Sequence, residues 1–177
     1  HDALARTTLR NSDARIATQN VDGLHALALE KAAEATVREP LPSTRPLELH
    51  GSLFRVRCTG CPVTGKHRGP IDATSAHSLP HCSECGSLLR PDIVWFGEMP
   101  YEMERVYAAL AKADLFVSIG TSGAVYPAAG FVQEAAAYGA RTLELNLERS
   151  EGSHWFDESR QGRAGELVPA WVDEVLG

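Results

Sequence analysis

The stretch Leu115-Phe116-Val117-Ser118-Ile119-Gly120-Thr121-Ser122-Gly123 decides the fold class of this chain. It begins with an apolar run, directly after Asp114, that has the length and composition of a buried parallel strand. The glycine-rich segment behind the run then turns the chain toward a helix. A buried strand that leads through a polar turn into a helix is the repeating unit of an α/β protein.

Strands and helices alternate on both sides of this stretch. The predicted helices cover 24–38, 101–112, 126–138 and 166–176, and the predicted strands cover 15–19, 115–119 and 141–147. Residues 1–13 have the pattern of the end of a helix followed by a turn. This alternation predicts an α/β fold, in which a parallel sheet carries helices on both faces.

Four cysteines, the only ones in the chain, interrupt the alternation as two C-x-x-C pairs separated by twenty residues. They are Cys58, Cys61, Cys82 and Cys85. This spacing is typical of a structural zinc site, because each pair lets one tight turn direct two sulfurs at the same point. Two disulfides or a redox-active pair are the alternatives. The segment from Arg55 to Pro91 has few large apolar residues, so a bound metal would supply its cohesion.

Polar residues follow three of the predicted strands at their carboxyl ends, where ligands bind in open α/β sheets. The three clusters are Gln19-Asn20-Val21-Asp22, Gly120-Thr121-Ser122 and Asn146-Leu147-Glu148. A Gly-Thr-Ser turn offers backbone N–H groups and hydroxyls to phosphate or ribose oxygens. A single turn of this kind is equally common as a helix cap. Three clusters in one sheet favour a nucleotide site.

His50 is the candidate general base, because an imidazole titrates near neutral pH and Gly51 and Ser52 permit a close turn beside it. The chain has seven histidines, and a structural role is the alternative for any one of them.

The segment from Val94 to Glu98 either ends a strand with core aromatics or pairs with an extended peptide by strand addition.

Length, composition and net charge limit the kinds of protein that this chain can be. A chain of 177 residues with 44% hydrophobic residues is long enough to bury one substantial core. The net charge of −6 does not favour nucleic acid or an anionic membrane as a partner. No apolar run has the length of a membrane span. We expect an intracellular, cytoplasmic protein. If the source is a eukaryote, a mitochondrial or nuclear location is the alternative.

The order of these motifs resembles that of the sirtuins, which are NAD-dependent protein-lysine deacylases. The resemblance covers about Arg15 to Val175. Its motifs are Thr18-Gln19-Asn20-Val21-Asp22-Gly23, Glu48-Leu49-His50-Gly51-Ser52, the two C-x-x-C pairs, Arg90-Pro91, Phe96-Gly97-Glu98, Gly120-Thr121-Ser122 and Leu145-Asn146-Leu147-Glu148. The segment from Gly123 to Phe131 is similar to the subgroup that removes succinyl and malonyl groups.

The resemblance implies a role for each matching residue. Catalysis would involve His50 as the base, with Asn20 and Asp22. NAD would be bound by Gln19, Asn20, Val21, Asp22, Gly120, Thr121, Ser122, Asn146, Leu147, Glu148 and Ala164. An acyl-lysine peptide or protein would contact Val94, Phe96, Gly97 and Glu98, and Zn²⁺ would be held by the four cysteines. The acyl group would pass from lysine to ADP-ribose as nicotinamide leaves.

The resemblance also implies a domain organisation. A Rossmann-like domain would comprise residues 1–49 and 92–177, and a small zinc-ribbon domain would occupy residues 50–91. The first strand of the family core and its glycine-rich loop have no equivalent before Arg15. Two other functions stay open, namely a catalytically impaired binding module stabilised by zinc and an unrelated nucleotide oxidoreductase. The absence of a G-x-G-x-x-G motif disfavours the second.

Overall fold

Two parallel sheets and one antiparallel sheet make up the α/β fold, which a computed structural model describes for all 177 residues. The helices are α1 (Asp2–Arg10), α2 (Leu24–Thr36), α3 (Met103–Leu110), α4 (Phe131–Ala137) and α5 (Ala164–Leu176). The strands are β1 (Ala17–Thr18), β2 (Leu47–Glu48), β3 (Gly51–Cys58), β4 (Thr64–Lys66), β5 (Leu89–Ile93), β6 (Leu115–Ile119), β7 (Arg141–Asn146) and β8 (Glu158–Gln161). No helix is long and apolar enough to cross a membrane.

The larger parallel sheet has the order β6-β7-β8. Leu115 of β6 lies opposite Arg141 of β7, and Leu143 of β7 lies opposite Glu158 of β8. The prediction of parallel strands at 115–119 and 141–147 is therefore confirmed. Strand β8 escaped sequence analysis, because its residues, Glu-Ser-Arg-Gln, lack the apolar pattern that marks a buried strand.

Helices cover both faces of this sheet. Phe116 of β6 packs against a core cluster that contains residues of β2, α3 and α4. Val117 and Ile119 point to the opposite face and pack against a cluster built from α1, β7 and α5. This alternation is the one that a strand with apolar residues on both faces requires.

Strand β6 is less buried than its apolar sequence predicts. Leu115 is 42% exposed, and the other four residues of the strand are half-buried. The physical reason is the position of β6 at the edge of its sheet, where no second strand covers its outer side.

The second parallel sheet consists only of β1 and β2, with Ala17 opposite Leu47 and Thr18 opposite Glu48. The predicted strand over 15–19 is thus shortened to two residues, because β2 offers only two residues for pairing. The predicted helix over 126–138 begins late, as a 3₁₀ turn over Ala128–Gly130 that continues into α4. Pro127 and Gly130 are poor helix residues, which explains the delay.

Candidate active site and metal centre

The four cysteine sulfurs converge in one cluster, with all four Sγ atoms within 4.8 Å of one another. The Sγ atoms of Cys58 and Cys85 lie 3.4 Å apart, and those of Cys61 and Cys82 lie 3.7 Å apart. A tetrahedral zinc with bonds of about 2.3 Å separates its sulfurs by about 3.8 Å, whereas a disulfide requires about 2.0 Å. All four thiols are free. The cluster therefore fits a structural Zn²⁺ better than it fits two disulfides.

The backbone around the cysteines forms the tight turns that a metal centre needs. The N–H of Cys58 donates to the carbonyl of Val63, and the N–H of Gly86 donates to the carbonyl of Cys82. Cys58 ends β3 of the antiparallel sheet β4-β3-β5, where it lies opposite Leu89, and the other three cysteines lie in the loops of this sheet. This sheet with its loops, residues 51–93, is called the cysteine lobe below.

His50 lies at the junction of the cysteine lobe and the small parallel sheet. Its Nδ1 is 3.2 Å from the carbonyl oxygen of Gln19. A carbonyl only accepts hydrogen bonds, so this contact requires a proton on Nδ1, and in the neutral ring the lone pair then lies on Nε2. The backbone carbonyl of His50 accepts from the N–H of Val94 at 3.0 Å. One residue thus contacts both the predicted cofactor loop and the predicted substrate segment.

The loop from Gln19 to Asp22 is held by local hydrogen bonds and by one from the cysteine lobe. The N–H of Asn20 donates to Thr18 Oγ1 at 3.1 Å, and Asp22 Oδ1 accepts from the N–H of Leu24 at 3.0 Å. The carbonyl of Val21 accepts from the N–H of Leu53 at 2.9 Å. The carboxylate of Asp22 therefore supports the first turn of α2 as well as facing the loop.

The second and third predicted clusters meet at the carboxyl ends of β6 and β7. Asn146 Nδ2 donates to the carbonyl of Thr121 at 2.7 Å, and the carbonyl of Asn146 accepts from the N–H of Gly162 at 2.9 Å. Ser122 Oγ accepts from the N–H of Ala124. Leu147 and Glu148 follow on an exposed turn, and Ala164 is the first residue of α5. No hydrogen bond joins either cluster to the loop at Gln19–Asp22, which belongs to the other parallel sheet.

A buried carboxylate supports the loop behind these clusters. Glu144 of β7 is 1% exposed and accepts hydrogen bonds from the hydroxyls of Ser150, Ser153 and Ser159. Burial alone would raise its pKa, but these hydrogen bonds outweigh burial and hold the pKa of Glu144 below its ordinary value. The N–H of Glu151 also donates to the carbonyl of Ser122, so this loop packs on the Gly-Thr-Ser turn.

The predicted substrate segment leaves the cysteine lobe with an exposed aromatic tip. Phe96 is fully exposed, and Gly97 has a φ of +89°. The Arg90 guanidinium donates to both carboxylate oxygens of Glu98, at 2.8 and 2.7 Å, and lies 3.9 Å from the centroid of the Trp95 ring. Hydrogen bonds from Arg90 and the Trp95 N–H lower the pKa of Glu98. The carboxylate of Glu98 is thus used to shape the segment.

Sequence analysis missed a network of charged residues beside His50. Arg55 Nε donates to Asp92 Oδ2 at 3.0 Å, and its Nη1 donates to Glu48 Oε2 at 2.6 Å. The hydroxyl of Tyr101 donates to Asp92 Oδ1 at 2.7 Å. Burial would raise the pKa of Asp92, but the hydrogen bonds from Tyr101 and Arg55 lower it overall. The only sequence signal for this network is the pair of arginines, Arg55 and Arg57, at alternate positions of β3.

The same network lines a cavity with a volume of about 600 Å³. This cavity lies between β3, β5 and the first cysteine pair, and its wall includes Glu48, Arg55, Asp92 and Tyr101. It is separate from the strand ends where the polar clusters meet.

Comparisons with known proteins agree on one family. A model of the Sir2 family matches residues 1–127. An NAD-dependent protein deacylase of Caulobacter vibrioides is 44% identical over 180 residues, which cover 99% of this chain and 69% of that protein. An NAD-dependent protein deacylase of Yersinia pseudotuberculosis is 47% identical over 159 residues, which cover 90% of this chain and 51% of that protein.

Solved structures give the same result for the fold. A Sir2 homologue in complex with NAD superimposes with a TM-score of 0.81 at 32% identity, over 99% of this chain and 64% of the other. A mutant Sir2 homologue bound to ADP ribose also gives a TM-score of 0.81, at 33% identity, over 99% of this chain and 66% of the other. The chain therefore spans about half to two thirds of the length of the proteins that it matches.

Proposed function

Because this chain belongs to the Sir2 family, we propose that it is an NAD-dependent protein-lysine deacylase. It would transfer an acyl group from lysine to ADP-ribose and release nicotinamide. The observation that carries this proposal is the position of His50, whose Nδ1 faces the Gln19 carbonyl and whose backbone carbonyl binds Val94. The names of the relatives from Caulobacter and Yersinia support the same activity.

His50 is the proposed general base. The hydrogen bond to Gln19 keeps the proton on Nδ1, so Nε2 presents a lone pair to a substrate hydroxyl. His50 is half-buried, and its contact with the Gln19 carbonyl orients the ring. Asn20 and Asp22 would assist from the adjacent loop, whose backbone is fixed by Thr18 and Leu53.

NAD would lie along the carboxyl ends of the parallel strands. Bound there, it would supply the ribose carbon that accepts the acyl group and the nicotinamide that departs. The proposed contacts are Gln19, Asn20, Val21 and Asp22 on one sheet and Gly120, Thr121, Ser122, Asn146, Leu147, Glu148 and Ala164 on the other. The fit is supported by Gly120, which has a φ of +61° and no atom within 4 Å of the place of a Cβ. A bare backbone of this kind permits the close approach of a phosphate.

An acyl-lysine peptide or protein is the proposed substrate. An extended peptide would pair with the segment at Val94, where Phe96, Gly97 and Glu98 form one side of the groove. The ion pair between Arg90 and Glu98 gives that side a fixed shape. Succinyl and malonyl groups are the preferred acyl groups in our proposal, because the segment from Gly123 to Phe131 resembles the subgroup that removes them.

We also propose how the sheets are grouped. The two parallel sheets would form one Rossmann-like domain over residues 1–49 and 92–177, with a zinc ribbon over residues 50–91 inserted in it. Leu47 of the smaller sheet and Leu49 just after it belong to the same core cluster as Phe131 of α4, and Phe116 of the larger sheet packs against that cluster, which supports this grouping.

The decisive experiment is nicotinamide release from NAD in the presence of succinylated, malonylated and acetylated peptides. We expect release with the wild-type chain and none with His50→Ala. His77→Ala is the matched control, because His77 is an exposed histidine outside the proposed site, and it should behave as the wild type. Peptide binding that persists without NAD and in His50→Ala, with no release by the wild type, would instead identify a zinc-stabilised binding module.

A further inference from the structure

Strand β3 carries a bulge between Ser52 and Val56. Ser52 pairs with Asp92 of β5, but the next pair is Val56 with Pro91. The residues from Leu53 to Arg55 therefore have no partners on β5. A bulge bends its strand and redirects the side chains on it. Here it places Arg55 so that its side chain turns back toward the start of the lobe.

Arg55 binds two carboxylates from two different strands. Its Nη1 lies 2.6 Å from Glu48 Oε2 on β2, and its Nε lies 3.0 Å from Asp92 Oδ2 on β5. The Asp92 side chain is 9% exposed and that of Glu48 is 22% exposed, whereas the Arg55 side chain is 37% exposed, so solvent screens these pairs in part. A planar guanidinium can hold two acceptors in fixed directions, which a lysine ammonium on a flexible stem does not do.

Each of these carboxylates belongs to a segment that holds His50 in place. Glu48 is the last residue of β2 and precedes His50 by two residues in the turn that follows. Asp92 precedes Val94 by two residues, and the N–H of Val94 donates to the carbonyl of His50 at 3.0 Å. Asp92 also accepts from the hydroxyl of Tyr101, whose N–H donates to the carbonyl of Leu49 at 2.9 Å. The backbone on both sides of His50 is thus connected to Arg55.

We propose that Arg55 is a positioning residue for His50, acting through Glu48 and Asp92. The inference rests on the proposed role of His50 as the base, but Arg55 itself touches no reacting atom. By clamping β2 to β5, it keeps the imidazole at the distance from the Gln19 carbonyl that fixes the proton on Nδ1. Without the clamp, the ring would shift relative to Gln19 and the two neutral tautomers would mix.

The ¹⁵N chemical shifts of the two ring nitrogens of His50 show which nitrogen carries the proton. We would record the ¹⁵N chemical shifts of His50 in the wild type, Arg55→Met, Arg55→Lys and Arg105→Met, at a pH at which the imidazole is neutral. The His50 signals would be assigned by their absence from the spectrum of His50→Gln. The wild type should show one tautomer, protonated on Nδ1. Arg55→Met should shift both nitrogens toward the values of mixed tautomers, and Arg55→Lys should fall between. Arg105→Met is the matched control, since Arg105 forms an exposed ion pair with Glu102, and it should match the wild type.

A folded Arg55→Met protein with unchanged His50 shifts would overturn the proposal. Bound zinc and circular dichroism would show whether the lobe is intact. Should Arg55→Met fail to fold, Glu48→Gln provides the second test, because it removes the negative charge from one arm of the clamp at nearly constant volume. Unchanged His50 shifts in both Glu48→Gln and Arg55→Lys would equally contradict the role of Arg55.

Turnover provides an independent readout. In Arg55→Met, kcat should fall by up to about a hundredfold, the cost expected from a small displacement of a catalytic group. The KM for NAD should stay within about twofold, because no binding contact is removed. If the wild type released no nicotinamide, the proposed function would fail, yet the ¹⁵N shifts would still decide whether Arg55 positions His50.

Discussion

At the scale of single residues, Gly51, which follows His50, is a position that does not tolerate a side chain. Its φ is +79°, and a Cβ there would lie 1.9 Å from the carbonyl oxygen of Asp92. Any side chain would therefore push β5 away from β3, in addition to the cost of the left-handed conformation.

We predict that Gly51→Ala lowers the free energy of unfolding by at least about 3 kcal/mol. Gly65→Ala is the control, because Gly65 lies on exposed β4 with nothing within 4 Å of the place of its Cβ. That control should change stability by less than about 0.5 kcal/mol. Urea unfolding of both variants measures the difference, and equal stabilities would contradict the role assigned to Gly51.

Glu144 makes stability depend on pH. Its native pKa lies below the ordinary value, so the native state binds its proton less readily than the unfolded chain does. The stabilisation is therefore fully present above the unfolded pKa of about 4.3, and it is lost as the pH falls through the lower native pKa.

We predict that Glu144→Gln lowers the free energy of unfolding by about 2 kcal/mol at pH 7, and that the difference from the wild type shrinks below about pH 4. Chemical unfolding between pH 3 and pH 7 measures it. Glu30→Gln, on the exposed side of α2, should show little difference at any pH. A difference for Glu144→Gln that is independent of pH would show that packing, not charge, is what this residue contributes.

At the scale of elements, the cysteine lobe depends on its metal. Cys82 is the only buried residue between β4 and β5. Packing against the sheet alone therefore cannot hold these loops in place. The larger parallel sheet is different, since Leu143 and Leu145 of β7 pack against α5 without any help from the lobe.

We predict that chelation of zinc unfolds the lobe first and leaves the larger sheet folded. Hydrogen exchange should become fast over residues 51–93 while the amides of β7 and α5 stay protected. The untreated protein should contain about one zinc per chain. Cys82→Ser should reproduce the effect without chelator. Unchanged protection of the lobe after complete removal of the metal would refute the prediction.

At the scale of the whole molecule, the core is divided into separate clusters. Val106 belongs to the cluster between β2, α3 and α4, and Val172 belongs to the cluster between α1, β7 and α5. Residues that share no partners contribute to stability independently.

We predict that Val106→Ala and Val172→Ala each cost about 2 kcal/mol and that their effects add to within about 0.5 kcal/mol. Val106→Ala combined with Leu110→Ala is the comparison pair, because both residues lie in one cluster, and there the effects should not add. Thermal unfolding of the single and double variants measures both sums. Strong coupling between Val106 and Val172 would mean that the two clusters act as a single core.

The sequence by itself determined the alternation of strands and helices and the grouping of the four cysteines, and it singled out His50 as the proposed base. These features are local, since an apolar run, a C-x-x-C turn or a short motif is encoded within a few neighbouring residues. The parallel pairing of β6 with β7 also followed, because a helix between two strands leaves little choice of direction.

Only the tertiary structure decided which polar groups meet. Arg55 and Asp92 are 37 residues apart in the chain, and Ser159 is 15 residues from Glu144; no periodicity connects them. The exposure of β6 and the existence of β8 depend likewise on which strands lie beside them. Local patterns report what a segment prefers, whereas long-range packing selects its neighbours, and the neighbours determine which charges are paired and which nitrogen of His50 stays free.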